Sequence, residues 1–72
     1  MIRVEEFINT DADLKTYKIS AFADTKSEVQ SASLSDYVGL PSDTEGLELG
    51  SDVMTAAGDI AFMQSTGEWK WQ

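Results

Sequence analysis

The sequence predicts a mainly β fold: a small antiparallel sheet of hairpins and a meander, with at most one short helix in the middle. Three observations carry this. Residues 16–23 alternate apolar and polar side chains with the two-residue period of a strand. From Ser51 onward, three short β-forming runs are separated by turns that contain glycine. Between these regions, the Ser-rich run 27–35 has poor helix propensity.

Residues 3–8 hold Val4, Phe7 and Ile8, all strand formers. Asn9, Asp11 and Asp13 then supply turn chemistry, because such side chains bond nearby backbone and tolerate left-handed geometry. In the next strand Tyr17, Ile19 and Ala21 share one face, and Lys18, Ser20 and Phe22 share the other. Phe22 interrupts the polar face and is a candidate contact for another chain. Asp24 or Thr25 can cap a short helix, with Glu28 completing a capping box from Thr25. Val29, Leu34 and Tyr37 are the only large apolar anchors there, so one or two helical turns and irregular structure both fit. Gly39-Leu40-Pro41 ends that stretch, since Pro disfavours helix at the residue before it. Residues 42–50 read as an acidic loop with Asp43, Glu45 and Glu48, anchored by Leu47 and Leu49. Strands follow at 51–55, 60–64 and 69–72, the last with Trp69 and Trp71 on one face and Lys70 opposite.

With 72 residues the chain forms one domain, residues 1–72. It carries Lys+Arg 5 against Asp+Glu 13, a net charge of −8, with no His and no Cys. These counts exclude a zinc site of the usual kind, a disulfide and any His-based nucleophile pair. The charge argues against nucleic-acid binding, which needs clustered Lys and Arg. Apolar runs of only a few residues span no bilayer, and the N-terminus lacks a signal-peptide pattern. A core of this size supplies only about 3–5 kcal/mol, and neither disulfide nor zinc can add to it. Support from further copies or from a larger partner is expected.

The candidate chemistry is thin. Asp11-x-Asp13 opens like a calcium loop, but Lys15, Thr16 and Phe22 occupy later positions where ligands or glycine belong. Paired carboxylates such as Glu5 and Glu6, or Asp43 and Glu45, have no apolar pocket to raise a pKa. No catalytic residue, cofactor site or metal site is expected. Trp69, Phe62, Ile60 and Val53 read as the hairpin core. Phe22, Tyr37, Met54, Met63 and Trp71 exceed what so small a core can enclose, and these residue types are enriched at interfaces. They are the candidate interface.

Leu40-Pro41, an acidic loop, Gly50-Ser51, Gly58-Asp59, Phe62-Met63 and then Gly67-Glu68-Trp69 form a pattern. Over residues 40–72 it resembles small virion proteins of tailed bacteriophages, above all head-fibre and capsid decoration proteins. The resemblance implies a structural role on the outside of a capsid, in a particle assembled in the host cytoplasm. The partner it implies is the major capsid protein or another virion protein, with homo-oligomers, trimers above all. With nothing after Trp71 but Gln72, it implies a base without its fibre.

The expected function is that of a non-enzymatic virion structural protein that docks on a capsid surface or self-associates. The alternative is an acidic inhibitor that mimics DNA in the basic groove of a DNA-binding protein. The stretch from Ser27 to Trp69, with eight acids and no basic residue, motivates the alternative. Mimicry needs carboxylates at phosphate-like spacing, however, and these fall mostly in turns and loops.

Overall fold

The computed structural model describes every residue from Met1 to Gln72. Its strands are β1 (Ile2–Ile8), β2 (Thr16–Ala23), β3 (Tyr37–Val38), β4 (Gly46–Leu47), β5 (Asp52–Thr55), β6 (Ile60–Ser65) and β7 (Glu68–Trp71). One helix, α1 (Lys26–Gln30), and one 3-10 turn, Leu34–Asp36, complete the fold. The protein is mainly β with one short helix in the middle, as the sequence predicts.

All seven strands belong to one sheet of order β3-β1-β2-β5-β6-β7, with β4 paired to β2. The sheet is mixed, which corrects the expectation of antiparallel pairing throughout. The hairpin β1–β2 and the meander β5–β6–β7 are antiparallel. Strand β3 runs parallel to β1, and β4 and β5 run parallel to β2. Parallel neighbours need a crossover of about a dozen residues or more. The segment between Ala23 and Asp52 provides it and carries α1, the 3-10 turn, β3 and β4.

Local chemistry sets each boundary. The Asn9 side chain closes the first hairpin by donating to the Leu14 and Thr16 carbonyls, at 2.7 and 3.1 Å. Asp11 accepts from the Asp13 amide at 3.0 Å, so Asp11 and Asp13 build a turn. A register shift between Val4 and Glu6 leaves Glu5 as the extra residue of a bulge. The capping box at α1 is formed: Thr25 accepts from the Glu28 amide, and Glu28 accepts from the Thr25 amide, both at 3.3 Å.

The core lies on one face of the sheet. Ile2, Ile19, Ala21, Ala23, Val53 and Ala61 come from the strands, and Val29 and Tyr37 come from the crossover. Tyr37 is 7% exposed and Met63 3%, so both are buried within the chain. That corrects the expectation that they exceed the core. A lone meander would leave them out, but the crossover folds over the same face and adds a second layer. Ile60 and Phe62 are corrected in the other direction. Ala61 and Met63 take the inward positions of β6, which turns Ile60 and Phe62 to the opposite face.

A candidate docking surface on the open face of the sheet

The face of the sheet away from the core is assembled by strand register. Arg3 pairs with Phe22, Phe22 with Met54, and Met54 with Ile60, in one row across four strands. The next row runs Glu6, Ser20, Asp52, Phe62 and Lys70. Phe22, Met54, Ile60 and Phe62 are therefore neighbours, directly or diagonally. Met54 is 44% exposed and Phe62 40%, while Phe22 and Ile60 are half-buried by their neighbours. The crossover covers only the other face, so this patch meets solvent.

Its charge differs from that of the whole molecule. Arg3, Lys18 and Lys70 stand on the strands around the patch, against Glu6 and Asp52. Two of the five basic residues, Arg3 and Lys70, thus stand in register with Phe22 and Phe62 of the patch, and Lys18 lies one row further along β2. The Arg3 guanidinium lies 5.7 Å from the centre of the Phe22 ring, a cation–π contact. Ser20 donates to the Asp52 carboxylate at 2.7 Å, which fixes that acid in the sheet plane.

The core face holds a second apolar feature. A groove of about 780 Å³ opens between the crossover and the C-terminal hairpin, lined by Leu34, Tyr37, Leu47, Met63, Trp69 and Trp71. Glu45 and Glu68 stand on its wall. Trp69 Nε1 donates to the Tyr37 hydroxyl at 3.1 Å across the groove. Burial is the main cause that raises the Tyr37 pKa above its ordinary value, and the Trp69 bond offsets part of it. The hydroxyl is thus protonated at neutral pH and serves as a structural partner. Lys26 Nζ sits 5.0 Å from the centre of the Trp71 ring at the groove margin.

The five residues expected at an interface are therefore divided between two surfaces. Phe22 and Met54 lie together on the open face, and Tyr37, Met63 and Trp71 line or underlie the groove. Ile60 and Phe62 belong to the open-face patch although the sequence reading placed them in the core. Alternation in β6 sets Ala61 and Met63 apart from Ile60 and Phe62, and the pairing of Ala61 with the fully buried Val53 decides which pair faces the core. No group of three or more His, Cys, Asp or Glu side chains comes together to hold a metal ion. No helix is long and apolar enough to cross a membrane. No protein-family model, no curated protein and no solved structure matches the chain.

Proposed function

We propose that this chain is a non-enzymatic structural protein of a virus particle, docking on the outer surface of a capsid shell through the open face of its sheet. One observation carries the docking half of the reading. An acidic molecule keeps a contiguous apolar patch of Phe22, Met54, Ile60 and Phe62 on its open face, flanked in register by Arg3 and Lys70 and interrupted only by Asp52. Single exposed apolar residues are ordinary, but Met54 and Phe62 adjoin Phe22 and Ile60 in one contiguous patch, which a docking protein uses as an anchor. The assignment of the partner rests on the resemblance of residues 40–72 to head-fibre and decoration proteins. Mimicry of DNA is less well supported, because Asp11, Asp13, Asp43 and Glu45 lie in turns and loops.

Co-sedimentation with capsid shells encoded in the same genome tests the reading. The wild-type chain should pellet with shells, and Met54→Glu and Phe62→Ser variants should stay in the supernatant. A chain that ignores the shells, or variants that pellet as well as wild type, would overturn it.

A further inference from the structure

Strand β7 ends the sheet and is paired along one side only, with β6. The Gln72 amide donates to the Ile60 carbonyl at 2.8 Å, so these two residues form a hydrogen-bonded pair. Such pairs alternate along an antiparallel ladder, which makes Phe62 and Lys70 the next one. The N–H and C=O groups of Trp69 and Trp71 therefore point away from β6, along the free edge. Side chains alternate in the same strand. Trp69 and Trp71 are half-buried, while Lys70 and Glu68, which also borders the groove, take the alternate positions and are exposed.

We propose that the free edge of β7 pairs antiparallel with β7 of a second copy, about a two-fold axis at Trp69. The charge pattern selects this partner, because Glu68-Trp69-Lys70 is its own antiparallel complement. With Trp69 opposite the partner's Trp69, the two residues exchange both backbone bonds, and each Glu68 stands opposite a Lys70. Setting Trp69 opposite the partner's Trp71 would make more backbone bonds, but it places Lys70 against the partner's Lys70. That is a non-hydrogen-bonded position, where side chains stand closest and like charges repel. Setting Trp71 opposite the partner's Trp71 leaves Glu68 and Lys70 without opposite charges. A lysine on an edge strand ordinarily blocks pairing, and the partner's Glu68 lifts that block in one register alone. The contact is isologous, so it closes as a dimer. Stable interfaces use about 20–30 residues a side, and β7 has 4, so the dimer is weak and forms at high protein concentration. A two-fold axis normal to the sheet keeps both open faces on one side and uncovered, so pairing is independent of docking through that face.

Charge reversal at the two exposed positions tests it. Sedimentation equilibrium should show wild type passing from monomer to dimer as concentration rises. Lys70→Glu alone and Glu68→Lys alone each meet like charges at both sites and should dimerise about ten-fold more weakly. An equal mixture of the two variants sets Glu against Lys twice and should dimerise at least as well as wild type. Both variants stay net acidic, so overall charge does not draw them together. The chain carrying both reversals should recover wild-type dimerisation, which also shows that the fold tolerates the substitutions. Amide exchange supplies an independent arm in wild type. The Trp69 amide should exchange more slowly as concentration rises, while the Lys70 amide, bonded within the chain, should not change. A wild-type chain that stays monomeric, a dimer indifferent to either reversal, a mixture no stronger than its components, or a Trp69 amide that ignores concentration would overturn the proposal. Monomers that still pellet with capsid shells would end this inference and leave the capsid reading intact, and dimers that ignore shells would do the reverse.

Discussion

Trp69 donates its indole hydrogen to the Tyr37 hydroxyl at 3.1 Å, although the two residues stand on opposite edge strands of the sheet. In a flat sheet β3 and β7 would lie five strand spacings apart, about 24 Å. Their contact therefore measures how far the sheet curls. Bulges at Val4/Glu6 and Met63/Ser65 supply part of that bend, because an extra residue in one strand increases local twist. The Tyr37–Trp69 bond holds the two edges over the core. Removing it should loosen the curl without unfolding the hairpins.

Tyr37→Phe tests this bond. It leaves the ring in place and strands a half-buried indole N–H, so a loss of about 1 kcal/mol is expected in urea denaturation. The variant should also change the alkaline limb of stability. Burial raises the Tyr37 pKa in the folded state, so its protonated form is favoured there. That contribution is full below the unfolded value near about 10, and it is lost as pH rises through the raised folded value. Wild type should lose stability in that window, and Tyr37→Phe should lose less. Equal alkaline limbs for the two proteins would show that Tyr37 is not the group responsible.

The charges at the start of β1 give a second pH test. The Met1 amine donates to Glu28 at 2.6 Å and to Asp24 at 2.9 Å. Glu28 first and Asp24 second raise the amine above its ordinary 8.0, and the amine lowers both carboxylates. The carboxylates' contribution is present above their ordinary values and lost as pH falls through the lowered ones. The amine's contribution is present below 8.0 and lost as pH rises through its raised value. The amine and Asp24 are exposed and Glu28 is partly so, so the effect is small and screened by salt. Glu28→Gln keeps an acceptor for the Asp24 and Thr25 amides and removes the charge. A thermal melt series across pH should show shallower acid and alkaline limbs for this variant in low salt. Coincidence of the two series would remove the ion pair from the account.

Much of this fold is legible in the sequence, and the parts that are not share one cause. The strand at Thr16–Ala23, the Asn9 turn, the Thr25 capping box and the C-terminal meander all rest on neighbours close in the chain. Register between β2 and β5 does not. It pairs Ala21 with Val53 across the whole crossover, and no local period reports it. The same gap hid the candidate site. Whether Tyr37 is buried or presented depends on the crossover that returns over the core face. Phe22 and Met54 are set on the open face by alternation with the buried Ala21, Ala23 and Val53 on their own strands. Phe62 faces outward because Ala61 pairs with the buried Val53, and a choice between two apolar faces of β6 is not made by alternation alone.

At Gly39 the crossover packs directly against the β1 backbone. Its φ is +105°, and a Cβ there would lie 3.3 Å from the Val4 carbonyl oxygen. An alanine would meet both a disfavoured backbone conformation and a rigid backbone atom. Gly39→Ala should cost about 1–3 kcal/mol. Gly58 also has positive φ, at +92°, but a Cβ there meets nothing within 4 Å. Gly58→Ala should therefore be the milder change in the same denaturation series. A reversed order would mean that the Val4 backbone yields easily.

Ser51 tests how the parallel half of the sheet is held together. It stands where β2 passes from pairing with β4 to pairing with β5, a place where the backbone ladder is interrupted. Its side chain fills the gap. The fully buried hydroxyl accepts from the Ile19 amide at 2.9 Å and donates to the Glu48 carbonyl at 2.7 Å. Ser51→Ala leaves the Ile19 N–H without a partner on a residue only 1% exposed. A buried donor left unpaired costs about 1–3 kcal/mol. The Glu48 carbonyl suffers less, because the Ser51 amide also donates to it at 3.3 Å. Thr55 is the control, being 2% exposed with a hydroxyl that accepts from the Asp59 amide at 3.2 Å. Asp59 is solvent-exposed, so water can replace that bond in Thr55→Val. Ser51→Ala should lose clearly more stability than Thr55→Val, and amide exchange at Ile19 should accelerate beyond the global change. Equal losses, or an Ile19 amide that exchanges no faster than its neighbours, would show that the hydroxyl does not bridge the two halves.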